Sequence, residues 1–151
     1  MKVERVYTRK VMATTRSTPI AEAAAAMRRF GVGSLLVLED GDAGAPPVGI
    51  VTDRDIALEG FAAESFVVGS AMTPVIATVR SDADVHEALG IMRAHGVRRL
   101  VVTGEKGAIV GILSIDDVVD GLSADLAAAA AVLKGEVKRD AAGLGEVKVG
   151  G

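Results

Sequence analysis

Gly49-Ile50-Val51-Thr52-Asp53-Arg54-Asp55 and Gly111-Ile112-Leu113-Ser114-Ile115-Asp116-Asp117 follow one pattern. Each has a glycine, a short apolar run, a hydroxyl residue, and an aspartate three places further on. Such a run reads as a strand that leads directly into the start of a helix. Working outward, a shift of 65 aligns Val3–Val37 with Val68–Val102 without a gap, and ten of the 35 positions are identical. The matches include Glu22/Glu87, Met27/Met92, Gly31/Gly96, Leu35/Leu100 and Val37/Val102. Composition alone would yield roughly three, so the chain is an internal duplication. Three extra residues in the loop Asp40–Pro47 change the shift to 62 for the opening motif. A unit of about 55–60 residues is too small to bury a stable core alone, which predicts one two-fold sandwich of repeats.

Within each copy the periodicities are legible. Thr18-Pro19 is expected to open a helix, with Thr as cap and Pro at the first helical position. Ile20, Ala23, Ala24, Met27 and Phe30 recur at helical spacing, and Gly31 ends the run. Apolar strands are expected at Leu35–Leu38 and Val48–Val51, followed by a helix from Thr52 to about Leu58. The second copy predicts a helix from about Asp84 to His95, a stop at Gly96, strands Leu100–Val102 and Ile109–Leu113, and a helix from Ser114. The fold class is therefore mixed α+β, with β-α-β-β-α units whose short sheets carry helices on one side. The expected boundaries are 3–62 and 66–122 for the repeats, 123–140 for an Ala-rich C-terminal helix, and 141–151 for a flexible Gly-rich tail.

Composition narrows the function classes. Of 151 residues, half are apolar and a quarter charged, enough for a packed core. Aromatic residues make up 3% and there is no Trp, which argues against a base-stacking surface. Seventeen basic against 20 acidic residues give a net charge of −3, so nucleic acid is not an expected partner. The lack of cysteine removes disulfide scaffolds, thiol catalysis and zinc ribbons. Leu126–Leu133 is the longest clean apolar run, far short of the ~20 residues that span a bilayer. The N-terminus lacks the apolar region of a signal peptide. A cytoplasmic chain without membrane association is expected.

The ordered set of motifs resembles a tandem pair of CBS domains (the cystathionine β-synthase repeat), which pair into a Bateman module. It is carried by 49–55 and 111–117, by the helix exits Met27 to Gly31 and Met92 to Gly96, and by Ala71-Met72-Thr73-Pro74 before the second copy. It covers about residues 3–121. The resemblance implies a stand-alone regulatory module that binds an adenosine-containing ligand between its repeats: AMP, ADP, ATP, NAD or S-adenosylmethionine.

The motif chemistry admits two readings. A Ser or Thr at a helix start stands beside free backbone N–H groups and the positive end of the helix dipole, where a phosphate is stabilised. An aspartate one turn on can accept from ribose hydroxyls, as in dinucleotide folds. Thr52 with Asp55, and Ser114 with Asp117, are the candidate pairs. The same spacing is also a capping box, which needs no ligand. By resemblance, basic residues at Arg98-Arg99 face ligand phosphates, so the Ser114 site is expected to favour a phosphorylated ligand. The Thr52 site would then depend on Arg54 or an arginine from the other repeat. The resemblance also implies that Tyr7, Met12 and Ile112 line the base pocket of the Ser114 site, and Met72, Ala77 and Ile50 that of the Thr52 site. Core packing is the alternative for these apolar residues, and a solvated edge for the arginines.

Other constellations carry little. His86 and His95 are the only histidines, so no metal site is expected. No GxxxxGK[ST] loop occurs, and no histidine completes a catalytic triad. The paired aspartates begin helices, where acidic residues stabilise the dipole without catalysis. The expectation is a non-catalytic sensor that needs no cofactor, acts on an unidentified regulated protein, and assembles as a homodimer. A ligand-free dimerisation module is the alternative, and nucleic-acid binding a weaker one.

Overall fold

Met27 to Gly31 and Met92 to Gly96 end their helices by the same device. Gly31 and Gly96 adopt left-handed conformations, with φ of 64° and 63°. The Val32 and Val97 amides then reach back 3.0 Å to the Met27 and Met92 carbonyls. A side chain would strain this backbone, so glycine stands at both exits. The structure, a computed structural model, describes residues 1–42, 44, 46–59, 66–74 and 77–141. The tail from 142 onward and residues 60–62 of the expected first repeat lie outside them.

The elements follow the expected order twice. A 3₁₀ turn at Val3–Arg5 precedes β1 (Ala13–Thr15), α1 (Ile20–Phe30), β2 (Ser34–Leu38), β3 (Gly49–Thr52) and α2 (Asp53–Glu59). There follow α3 (Val68–Ala71), β4 (Thr78–Arg80), α4 (Val85–His95), β5 (Arg99–Thr103), β6 (Ile109–Ser114) and α5 (Ile115–Ala141). Two three-stranded sheets result, β1-β2-β3 and β4-β5-β6. In each, the first strand is parallel to the second and the third antiparallel.

Strand alternation explains why the middles of the central strands, Leu35–Val37 and Leu100–Val102, are apolar at every position. Leu35 and Val37 point to the helix side with Ile20, Ala23 and Met27. Leu100 and Val102 do the same with Val85, Ala88 and Met92. Leu36 and Val101 point the other way and meet Ile50 and Ile112 in a third cluster. That cluster joins the sheets face to face from corresponding positions of the two repeats. Each such buried aliphatic side chain contributes about 1.5–3 kcal/mol.

The segments before the repeats cross over. Val3 is fully buried in the core of the second repeat, and Val68 in that of the first. Thr8 exchanges two backbone hydrogen bonds with Ile112 (2.9 and 3.0 Å), and Thr73 two with Ile50 (2.8 and 3.0 Å). Residues 3–8, assigned by sequence to the first repeat, thus complete the second in space.

Two local expectations differ. Thr18 does not cap α1: its hydroxyl accepts from the Thr15 amide (3.3 Å) and pairs with the Thr15 hydroxyl (3.0 Å). The Ile20 amide instead donates to the Phe66 carbonyl at 2.8 Å. The expected boundary at 122–123 is no break, because α5 runs unbroken through it and holds Gly121 in its interior. The bareness of Gly121 serves packing: a Cβ there would stand 2.6 Å from Val6 Cγ1. Among the described residues, no helix is long and apolar enough to cross a membrane.

Candidate functional site

Both motif hydroxyls stand where a strand turns into a helix. At α2, Thr52 Oγ1 accepts from the Asp55 amide at 3.0 Å, and Asp55 Oδ2 accepts from the Thr52 amide at 2.9 Å. At α5, Ser114 Oγ accepts from the Asp117 amide at 3.1 Å. Asp117 Oδ2 takes both the Ser114 amide (2.8 Å) and the Ser114 hydroxyl (2.7 Å). These are reciprocal capping boxes, so that reading of the spacing is realised. Each uses only Oδ2, which leaves Oδ1 of Asp55 and of Asp117 without a partner among the described residues. A carboxylate oxygen of this kind can accept further hydrogen bonds.

The two junctions open into two clefts between the repeats. In the first, of about 260 Å³, Ile50, Thr52, Asp55 and Thr73 face Gly96, Val97, Arg98 and Arg99, with Arg54 alongside. In the second, of about 180 Å³, Ile112, Ser114, Asp117 and Thr8 face Gly31, Val32, Gly33 and Ser34, with Lys10 and Arg99 alongside. The repeat offsets map one set onto the other position by position. Each cleft therefore joins the motif of one repeat to the helix exit of the other.

This crossing moves the arginine pair. Arg98 and Arg99 were expected at the Ser114 site, yet both line the Thr52 cleft, and Arg99 alone of the two also reaches the Ser114 cleft. The cause is the face-to-face packing of the sheets, which sets each helix exit against the opposite motif. Arg98 Nη2 lies 4.0 Å from Asp116 Oδ1, with both side chains exposed. The Thr52 cleft thus gathers Arg54, Arg98 and Arg99 around Asp55, a net cationic wall suited to bidentate phosphate recognition.

Of the apolar residues named from sequence, Ile50 and Ile112 line their clefts while also packing in the central cluster. Tyr7 packs on the second core and Met12 on the first. Met72 packs on the first core, and Ala77 is buried in the second. Tyr7 and Met72 correspond, and each covers a motif glycine. A Cβ on Gly111 would stand 2.2 Å from Tyr7 Cδ2, and one on Gly49 2.8 Å from Met72 Sδ. Sequence reasoning missed Thr8, Thr73 and Lys10 as lining residues. The identity of Thr8 and Thr73 under the 65-residue shift was the available signal. Lys10 carries none, because its place depends on a hydrogen bond from its ammonium to the Phe30 carbonyl.

Comparison with known proteins agrees with this architecture. The CBS domain model matches twice, over residues 3–60 and 68–124. A protein of Bacillus subtilis is 35% identical over 119 residues, covering 77% of this chain and 78% of that one. One from Methanopyrus kandleri is 29% identical over 122 residues, covering 78% of this chain but only 61% of the relative's length. Among solved structures, a CBS domain pair in complex with 5′-methylthioadenosine and S-adenosyl-L-methionine has a TM-score of 0.70 at 21% identity, covering 83% of this chain and 98% of that one. CBSX2 in complex with AMP has a TM-score of 0.60 at 26% identity, covering 80% and 95%. With two matched repeats across most of its length and the sheets of a CBS pair, the chain belongs to the CBS domain family.

Proposed function

We propose that this CBS pair is a non-catalytic sensor that holds an adenosine-containing ligand (AMP, ADP, ATP, NAD or S-adenosylmethionine) between its repeats. The observation that carries the reading is the Thr52 cleft. There Asp55 lines the cleft with one carboxylate oxygen unpartnered among the described residues, and Arg54, Arg98 and Arg99 supply the charge for a phosphate. Both clefts are walled by both repeats, so a ligand would fix their relative position and shift the population of module shapes. A regulated protein in the cytoplasm would read that shift. The AMP complex of CBSX2 supports the ligand class.

A thermal-shift screen of the full chain with these compounds tests the reading. A ligand at ~100 times its dissociation constant should add about 2.7 kcal/mol of stability. Asp55→Ala and Asp117→Ala should each diminish the response. A flat screen on folded protein rejects it.

A second reading, homodimerisation, is supported by α5. Val119, Leu122, Leu126 and Leu133 recur at spacings of three, four and seven on this helix, and all are exposed. Helical neighbours of this kind form an apolar stripe, and a second copy of the stripe is the occupant we propose. Light scattering should give twice the 15.4 kDa chain mass. Monomer at micromolar concentration rejects it.

A further inference from the structure

Among the described residues, Arg99 is the side chain common to both clefts. It begins β5, opposite Ser114 in the β5–β6 ladder, and is half-buried. No hydrogen bond or ion pair engages its guanidinium among the described residues. Its Nη2 lies 3.8 Å from where a Cβ would stand on Gly33. Gly33 is the counterpart of Arg98, so the side chain missing at 33 leaves the room into which the Arg99 guanidinium extends.

A guanidinium binds a phosphate through a planar fork of N–H donors, and a side chain drawn fully into one of the two clefts it lines is withdrawn from the other. Resting on the reading that the clefts take adenosyl ligands, we propose that Arg99 is a shared phosphate ligand that couples the two clefts negatively. A phosphate in one cleft draws the guanidinium to itself and leaves the other cleft short of a cation. The loss is unequal. Among the described residues the Thr52 cleft retains two cations, Arg54 and Arg98 (the latter 4.0 Å from Asp116), whereas the Ser114 cleft retains one, Lys10, bonded to the Phe30 carbonyl. A phosphorylated ligand therefore fills the Thr52 cleft first and the Ser114 cleft more weakly.

Calorimetric titration of the full chain with AMP tests this. Asp117→Ala leaves the Thr52 cleft and Asp55→Ala the Ser114 cleft, so the two variants give each cleft's own dissociation constant. Circular dichroism checks their folding, and Asn replaces Ala at either position that fails. In the wild type, the product of the two stepwise constants should exceed the product of the single-cleft constants by about tenfold. With Arg99→Gln added to all three backgrounds, that ratio should fall to one. One AMP per wild-type chain, with one also bound by each single-cleft variant, is the strong limit of the same coupling and supports it. A wild-type ratio of one, a ratio that survives Arg99→Gln, or binding confined to one cleft overturns the coupling and leaves the sensor reading intact. If no protein takes up AMP the coupling is overturned, and the sensor reading falls with it only if no other adenosyl compound binds.

Discussion

The Thr52 and Ser114 clefts are built from corresponding positions: Ile50 with Ile112, Thr52 with Ser114, Asp55 with Asp117, Thr73 with Thr8. They part at Arg98 against Gly33, Arg99 against Ser34, and Arg54 against Asp116. Duplication thus preserved the groups that shape the backbone and start the helices, while the residues that set charge diverged. The lesson is that a repeated cap, needed for folding at both places, says little about what each cleft binds. The neighbouring charges say more, because a phosphate responds to them directly.

The comparison can be pressed hardest at the motif glycines. Adding a methyl at Gly111 would place Cβ 2.5 Å from the Thr8 carbonyl oxygen, and at Gly49 2.7 Å from the Thr73 carbonyl oxygen. Backbone must move in both cases, so Gly111→Ala and Gly49→Ala should each cost about 1–3 kcal/mol in urea denaturation. A neutral result at one position alone would break the equivalence of the crossing segments.

Caps come next in size. Thr52→Ala and Ser114→Ala should each lower stability by about 1 kcal/mol with no ligand present. Ser114 should show the larger loss, since its hydroxyl also donates to Asp117. Chemical denaturation of the two variants side by side measures the difference, and equal losses would mean that this extra bond contributes nothing.

The smallest contrast lies at the starts of α1 and α4. Pro19 supplies no side-chain bond to α1, whereas Asp84 accepts from the His86 amide at 2.9 Å. That bond is the main cause holding the Asp84 carboxyl below its ordinary value, with the N-terminal ammonium assisting. A depressed carboxylate stabilises the fold in full above its unfolded value of roughly pH 4, and loses that contribution as pH falls through the folded value. Asp84→Asn should therefore flatten part of the stability loss below roughly pH 4 in acid titrations followed by circular dichroism. An unchanged acid limb would remove Asp84 as a contributor.

Much of this was legible in the sequence. The helix stops at Gly31 and Gly96, the apolar strands, and the Ser/Thr-to-Asp spacing are local signals, because each depends on burial periodicity or backbone geometry within a few residues. Thr18 was misread for a reason equally local: Thr15, three residues back, offered its hydroxyl another partner. The continuity of α5 through 122–123 was not legible for a different reason: the packing partner of Gly121, Val6, is more than a hundred positions away.

The sequence alone determined that the chain is two copies of one α/β unit with helix starts at Thr52 and Ser114, since duplication and periodicity are properties of the chain itself. Which helix exit faces which motif was decided only when Leu36, Ile50, Val101 and Ile112 packed the two sheets together. That contact joins residues far apart in the chain, and no local pattern encodes its direction. It carried Arg98 to the Thr52 cleft and set Arg99 between the two.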